Sequence, residues 1–153
     1  MKQFEAELLK EDWTHVRPEV EVRKVAIPPG EETYILCRTA GRKEKEKAIR
    51  NRFSSSMETA LKGLEKTIAA GRLKDRNKME RRLGKIQARH PQVNDLYHVG
   101  LKDTAEGVRL FWQIKEDRKN WRESREGAYL LRTNLRAETA EELWAKYMQL
   151  TEV

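Results

Sequence analysis

A series of apolar residues at helical spacing constrains the fold of this chain more than any other feature. Six large apolar side chains recur every three or four residues, which is the period of one helix face: Ile49, Phe53, Met57, Leu61, Leu64 and Ile68. Their spacing predicts the longest helix of the chain, beginning near Gly41, where the apolar period changes from two to about 3.6. Gly71 is typical of a helix C-terminus and predicts where this helix stops.

A second helix follows after a short loop. Met79, Leu83 and Ile86 repeat the helical spacing, and this helix is expected to end before Pro91. Because the loop, Arg72 to Arg76, is short, we expect an antiparallel helical hairpin over residues 41–90. The apolar stripes of the two helices should face each other or a shared sheet.

The positive charge of the chain is concentrated in this segment. Residues 42–89 contain 16 Lys and Arg against 6 Asp and Glu, a net charge of +10, whereas the other residues carry 16 against 19, a net charge of −3. Such a concentration predicts a polyanionic partner, and nucleic acid before a membrane. The residues expected to bind DNA here are Arg42, Lys43, Lys47, Arg50, Lys78, Arg81, Arg82, Lys85 and Arg89.

Three interpretations of the basic hairpin remain open. It is a clamp on the backbone of DNA or RNA, an interaction surface for an acidic protein, or a face that only keeps the chain in solution. Phe53 and Met57 belong to the apolar stripe, so we assign them to the core and predict no readout of bases. Binding through the backbone predicts an affinity that falls steeply with salt.

The residues before the hairpin predict a helix and two strands. Apolar residues recur at helical intervals among charged residues from Phe4 to Val16, which predicts an amphipathic helix. Because Pro18 disfavours a helical residue before it, this helix is not expected to continue beyond Arg17. Strands are expected around 20–27 and 33–39, joined through a turn at Pro28-Pro29-Gly30. The alternation in the first strand slips near Lys24, which predicts either a bulge or burial of both faces.

Strand patterns return after Pro91. Strands are expected around 95–101, 107–115 and 127–134, with one or two helical turns between Asp117 and Glu126. Thr139 and Glu142 form a capping box that begins a terminal helix. The apolar stripe of this helix is Leu143, Trp144, Tyr147 and Leu150. We therefore expect an α+β fold of one unit, with mostly antiparallel strands and three sections, 1–40, 41–90 and 91–153.

The sequence presents no active site. It lacks a Gly-x-Gly-x-x-Gly or P-loop motif, a nucleophile elbow, a His-Glu-x-x-His pair and a Cys-x-x-Cys pair. A lone cysteine, Cys37, and three scattered histidines, His15, His90 and His98, make a poor zinc site. There is no membrane span and no secretory signal, so we expect a cytoplasmic protein.

Several stretches nevertheless resemble one family. They are Arg38-Thr-Ala-Gly-Arg42, Lys45-Glu-Lys-Ala-Ile49, Gly71-Arg-Leu-Lys-Asp75, Leu83-Gly-Lys-Ile86, Gly127-Ala-Tyr-Leu-Leu-Arg-Thr-Asn134, Glu142-Leu-Trp-Ala-Lys-Tyr147 and Leu150-Thr-Glu-Val153. Together they resemble the DDE transposases of bacterial insertion sequences, in the group whose last catalytic helix carries a Tyr, Arg, Glu, Lys signature. The resemblance covers nearly the whole chain, from Phe4 to Val153.

The resemblance implies an RNase H-like core in which three carboxylates hold two divalent metals, Mg or Mn, for DNA transposition. Placing the signature tyrosine on Tyr147 adds this residue to the DNA-binding set, but the arginine position then falls on Leu150, a departure from the signature. The catalytic glutamate falls on position 154, and Glu152 is two residues too early, on a different helix face.

Both aspartates are expected before Met1. We therefore expect an internal fragment of a transposase, with a partial RNase H-like core, an inserted basic hairpin and no catalytic or metal-binding residue of its own. Its expected partners are DNA and, through unpaired strand edges, a second copy or a full-length transposase. The alternative is a small, non-enzymatic, basic protein that binds DNA or has a regulatory role.

Overall fold

The computed structural model describes residues 4–25 and 32–152, which form a mixed α+β fold with antiparallel sheets. The chain divides into two compact units: unit 1 is Met1–Lys47 with Glu123–Val153, and unit 2 is Ala48–Arg122. The elements, in chain order, are α1 Glu5–Leu8, β1 Thr14–Arg17, β2 Val20–Val25, β3 Thr33–Thr39, α2 Ala40–Ala69, α3 Arg76–Arg89, β4 Tyr97–Thr104, β5 Gly107–Ile114, α4 Glu116–Arg125, β6 Ala128–Thr133 and α5 Ala140–Thr151.

Unit 1 is built on a four-stranded antiparallel sheet with the strand order β1-β2-β3-β6. Val22, with residues of β3, packs against Leu143 and Trp144 of α5, whereas Val25 belongs to a second cluster with Phe4 and Leu8. Both faces of β2 are therefore covered, which accounts for the slip in its alternation. The pairing of β2 with β3 is continuous from Val20 to Val25, so there is no bulge between them. The predicted turn at Pro28-Pro29-Gly30 lies outside the described residues.

The expected helix from Phe4 to Val16 is wrong over most of its length. Its helical part is only Glu5–Leu8, and Thr14–Arg17 instead forms β1, at the edge of the sheet. Thr14 and Val16 are β-branched, and pairing with β2 favours the extended conformation that such residues adopt readily. Tertiary pairing has therefore overridden an apolar spacing that fits a helix.

The terminal helix α5 begins where the sequence predicts. The side chain of Thr139 accepts from the Glu142 amide at 3.2 Å, and Glu142 accepts from the Thr139 amide at 2.7 Å, which completes the capping box. The expected packing stripe is only half right. Leu143 and Trp144 are 5% exposed, but Tyr147 is 38% and Leu150 is 80% exposed. Met148 packs in their place, because the buried arc of α5 is rotated towards it.

Unit 2 combines most of α2 with α3 and the β4–β5 hairpin. Gly71 ends the turn after α2 with φ +71°, as expected for a C-terminal glycine. Ser56 Oγ lies 3.1 Å from His90 Nε2 at the far end of α3, so the two helices run antiparallel. The shared core is formed by Met57, Leu61, Leu64, Ile68, Leu73, Met79, Leu83, Val93, Leu96, Tyr97 and Leu110.

Two further points concern the helices. α4 extends over ten residues and is longer than the one or two turns expected, although none of its residues is buried. In the part of the chain that the structure describes, no helix is both long and apolar enough to cross a membrane.

Candidate nucleic-acid interface

Five cations lie on one face of α3. Lys78, Arg81, Arg82, Lys85 and Arg89 occupy positions i, i+3, i+4, i+7 and i+11, and all five are exposed. At 3.6 residues per turn, these positions fall within an arc of about 100° and span about 16 Å along the helix. We call this set the α3 stripe.

The α3 stripe carries its charge without internal neutralisation. None of its five side chains forms an ion pair or a hydrogen bond with another described residue. Glu80, the only acid within α3, lies on the other side of the helix and is 3.4 Å from the guanidinium of Arg76. The stripe is therefore an exposed surface of one sign, as phosphate binding requires.

Three local features hold α3 in place. The Asp75 carboxylate accepts from the Lys78 amide at 3.2 Å and caps the helix, and Met79 and Leu83 anchor its apolar side in the unit 2 core. Arg76 donates two hydrogen bonds from one nitrogen to the oxygens of Asp103 on β4, at 2.7 and 2.9 Å. Asp103 raises the pKa of Arg76, because the carboxylate stabilises the charged guanidinium.

The other predicted residue of unit 2 stands apart from the stripe. Arg50 lies on α2, where it is half-buried and makes contacts of its own. It also lies close enough to Tyr97 to oppose, by its charge, the increase in the pKa of that phenol. The sequence pattern grouped Arg50 with the stripe, but the structure places it in a different setting.

The remaining four predicted residues belong to unit 1, and the structure does not gather them into one basic surface. Arg42 is 2.8 Å from Glu46, and its guanidinium lies 5.3 Å from the centre of the Tyr129 ring. Lys43 lines a cavity of about 460 Å³ that four carboxylates also line, namely Glu19, Glu21, Glu123 and Glu126. Lys47 is exposed.

Tyr147 faces a different kind of surface. It lines an apolar groove of about 290 Å³ between β6 and α5, with Leu135, Leu143 and Leu150 among the lining residues. Lys146 and Arg132 also reach this groove, but Lys146 is paired with Glu138 at 2.7 Å and Arg132 with Glu32 at 3.3 Å. The groove is therefore mainly apolar and has little free positive charge for a phosphate.

The structure also brings together residues to which the sequence assigned no role. On the β4–β5 hairpin, Lys102 lies directly opposite Arg109, and Lys102 Nζ is 3.9 Å from the centre of the Phe111 ring. The alternation in β5 already placed Arg109 and Phe111 on one face of the strand. Lys102 lies beside these two residues only because of the register between β4 and β5, and the pattern of one strand does not specify this register.

Three further observations concern the metal-binding and titratable side chains among the described residues. Among these residues there is no group of three or more His, Cys, Asp or Glu side chains that could hold a metal. Burial raises the pKa of Cys37 to about 12, which leaves its thiol protonated and unreactive. His90 is buried between Ile86 and Ser56. The α3 stripe is the strongest functional candidate.

Comparison with family models, with curated proteins and with solved structures finds no match for this chain.

Proposed function

We propose that this protein binds the phosphate backbone of duplex DNA, without reading its sequence, through the α3 stripe. One observation carries the proposal: five exposed cations share one helix face, and none of them is paired with a carboxylate of residues 4–25 or 32–152. Their span of about 16 Å is comparable to the rise of about five base pairs along the axis of B-DNA, at 3.4 Å per pair. Five contacts of this kind are enough for non-specific binding that depends strongly on salt.

We further propose that this binding serves a DDE transposase, with unit 1 as part of an RNase H-like core and the basic helical hairpin as an insertion. The motif resemblance supports this assignment. The order of the chain also supports it, because residues 48–122 form their own unit between two stretches that fold together. In this role the protein acts on DNA in the cytoplasm, and it contributes binding and not strand cleavage.

Fluorescence anisotropy with a labelled duplex tests the binding surface. A triple variant, Arg82→Gln, Lys85→Gln and Arg89→Gln, removes three charges from the α3 stripe. If each phosphate contact adds about 0.9 to the logarithm of the affinity for a tenfold decrease in salt, the three lost contacts should weaken duplex binding about 500-fold at 0.1 M salt. Its matched control, Lys45→Gln, Lys66→Gln and Arg118→Gln, removes the same charge from exposed positions outside the stripe.

The control variant should bind the duplex much more tightly than the stripe variant. Equal weakening of the two variants would mean that net charge, and not the stripe, governs binding. Competition by poly-glutamate as effective as duplex DNA would instead favour an acidic protein partner. Nicking of DNA by the purified protein with Mg or Mn would contradict the assignment of binding without cleavage.

A further inference from the structure

The β4–β5 hairpin has a second face that takes no part in the unit 2 core. Tyr97, Val99, Leu101 and Leu110, with their cross-strand partners, point into the core. Side chains alternate along a strand, so the other face carries the remaining residues: His98, Gly100, Lys102, Thr104, Gly107, Arg109, Phe111 and Gln113. We call this set the outer face, and none of its eight residues is acidic.

Two cations of the outer face oppose each other directly. Lys102 pairs with Arg109 in the antiparallel register, an arrangement that destabilises a hairpin when nothing neutralises it. Glu106 is 3.6 Å from Arg109, but it is 85% exposed and contributes little screening. Two like charges held side by side on a rigid hairpin are suited to an anionic ligand.

An aromatic ring lies next to this pair. Phe111 is half-buried, and it is not among the residues packed against the unit 2 core. Its cross-strand partner is Gly100, where an added Cβ would meet no atom within 4 Å. Gly100 therefore places no side chain across from the ring, and a stacked flat group would displace the Lys102 ammonium. At present the Lys102 ammonium lies over the ring, 3.9 Å from its centre.

We propose that the outer face binds single-stranded nucleic acid, with one base stacked on Phe111 and the adjacent phosphates on Lys102 and Arg109. An unpaired strand supplies a flat ring and a negative charge in every nucleotide, whereas the bases of a duplex are stacked on each other and an acidic peptide offers a ring only at an aromatic residue. This site lies on a different element from the α3 stripe. Single-strand binding by the outer face can therefore be tested independently of duplex binding.

The test compares conservative variants of Phe111 in the full chain, with a fluorescent 15-mer of thymidylate as the probe. Phe111→Leu keeps an apolar side chain but removes the stacking surface, and it should weaken binding roughly 5- to 100-fold. Phe111→Tyr keeps the ring and should retain nearly all of the affinity of the unaltered protein. Gln113→Ala, on the same face but without ring or charge, is the matched control and should behave as the unaltered protein.

The role of Lys102 and Arg109 is tested separately, through the salt dependence of binding. Changing Lys102→Gln and Arg109→Gln together should reduce the salt dependence of single-strand binding by about 1.4 in log–log slope, at about 0.7 per contact. Neither side chain is buried, so this variant tests the site even if changes at Phe111 disturb folding. Binding of labelled duplex should change little in all of these variants.

Two results would overturn the inference. One is that Phe111→Leu binds the thymidylate probe as tightly as the unaltered protein, while the cation variant keeps the full salt slope. The other is that poly-glutamate displaces the probe as effectively as unlabelled thymidylate, which would indicate an acidic polypeptide. Failure of the α3 stripe variant to lose duplex binding would contradict only the proposed function, because the probe and the altered residues differ.

Discussion

Replacing Gly127 with alanine should destabilise unit 1 by about 1–5 kcal/mol. Gly127 has φ +83°, and a Cβ there would lie 2.7 Å from Lys43 Cβ and 2.7 Å from the Thr39 carbonyl oxygen. The left-handed backbone costs a non-glycine residue about 1–2 kcal/mol, and relieving the overlap costs about 1–3 kcal/mol more. Alanine also restricts the unfolded chain more than glycine does, which offsets about 0.4–1 kcal/mol of this destabilisation.

The position matters because Gly127 connects β6 to the start of α2. Its carbonyl accepts from the Thr39 amide at 3.1 Å, and its amide donates to the Glu46 carboxylate at 2.9 Å. Movement of the Gly127 backbone to admit a methyl group would weaken both hydrogen bonds. Neither neighbour can move away cheaply, because one is a backbone oxygen and the other is the first carbon of a side chain.

Urea unfolding followed by far-UV circular dichroism measures this effect. The matched control is Gly41→Ala in the same unit, where an added Cβ meets nothing within 4 Å and the residue is inside α2. Alanine there should be neutral or stabilising, by up to about 1 kcal/mol. A Gly127→Ala protein within about 0.5 kcal/mol of the unaltered protein, or a Gly41→Ala protein equally destabilised, would refute this account of the contact.

Two further outcomes follow from side-chain environments. Burial raises the pKa of Cys37 from 9.0 to about 12, so the contribution of this thiol to stability is present below pH 9 and is lost as the pH rises towards 12. The Cys37→Ala variant should therefore show a flatter decline of unfolding free energy over this pH range. An unchanged decline would exclude Cys37 as its source. The Arg76–Asp103 pair is exposed, so a double-mutant cycle with Arg76→Gln and Asp103→Asn should give a small coupling that fades in 0.5 M NaCl. A coupling that 0.5 M NaCl leaves unchanged would contradict this.

Periodicity was sufficient to predict the helices of unit 2, because their stripes repeat over many residues and end at strong local signals. Gly71 adopts the left-handed conformation expected of a stop, and Met57 and Leu61 are completely buried. Six large apolar residues at helical spacing leave little room for another structure. The β2–β3 pairing was also predicted, since two strands joined through a short turn favour an antiparallel hairpin.

The misplaced helix at Thr14–Arg17 has the opposite cause. Only a few apolar residues define the pattern before Pro18, and their helical spacing is compatible with a short strand whose register is set by β2. The exposure of Leu150 has a similar cause, because spacing alone identifies a stripe but not which side of it packs. Both features depend on tertiary contacts that a local pattern does not contain.

The candidate site was predicted in part for the same reasons. The five cations of the α3 stripe were named among nine basic residues of the hairpin, and the structure places these five on one face of α3. Arg42 was expected to be available for DNA, but Glu46 one helical turn later pairs with it. The opposition of Lys102 and Arg109 depends on strand register, which a single sequence specifies only weakly.

The salt dependence of duplex binding tests the central claim most directly. Five phosphate contacts by the α3 stripe predict a slope of about −4.5 for log affinity against log salt, or about a 500-fold loss between 50 and 200 mM. The stripe variant at Arg82, Lys85 and Arg89 should give a slope of about −1.8, and the control variant should keep about −4.5. Equal slopes for the stripe variant and the unaltered protein would contradict the assignment of DNA binding to α3.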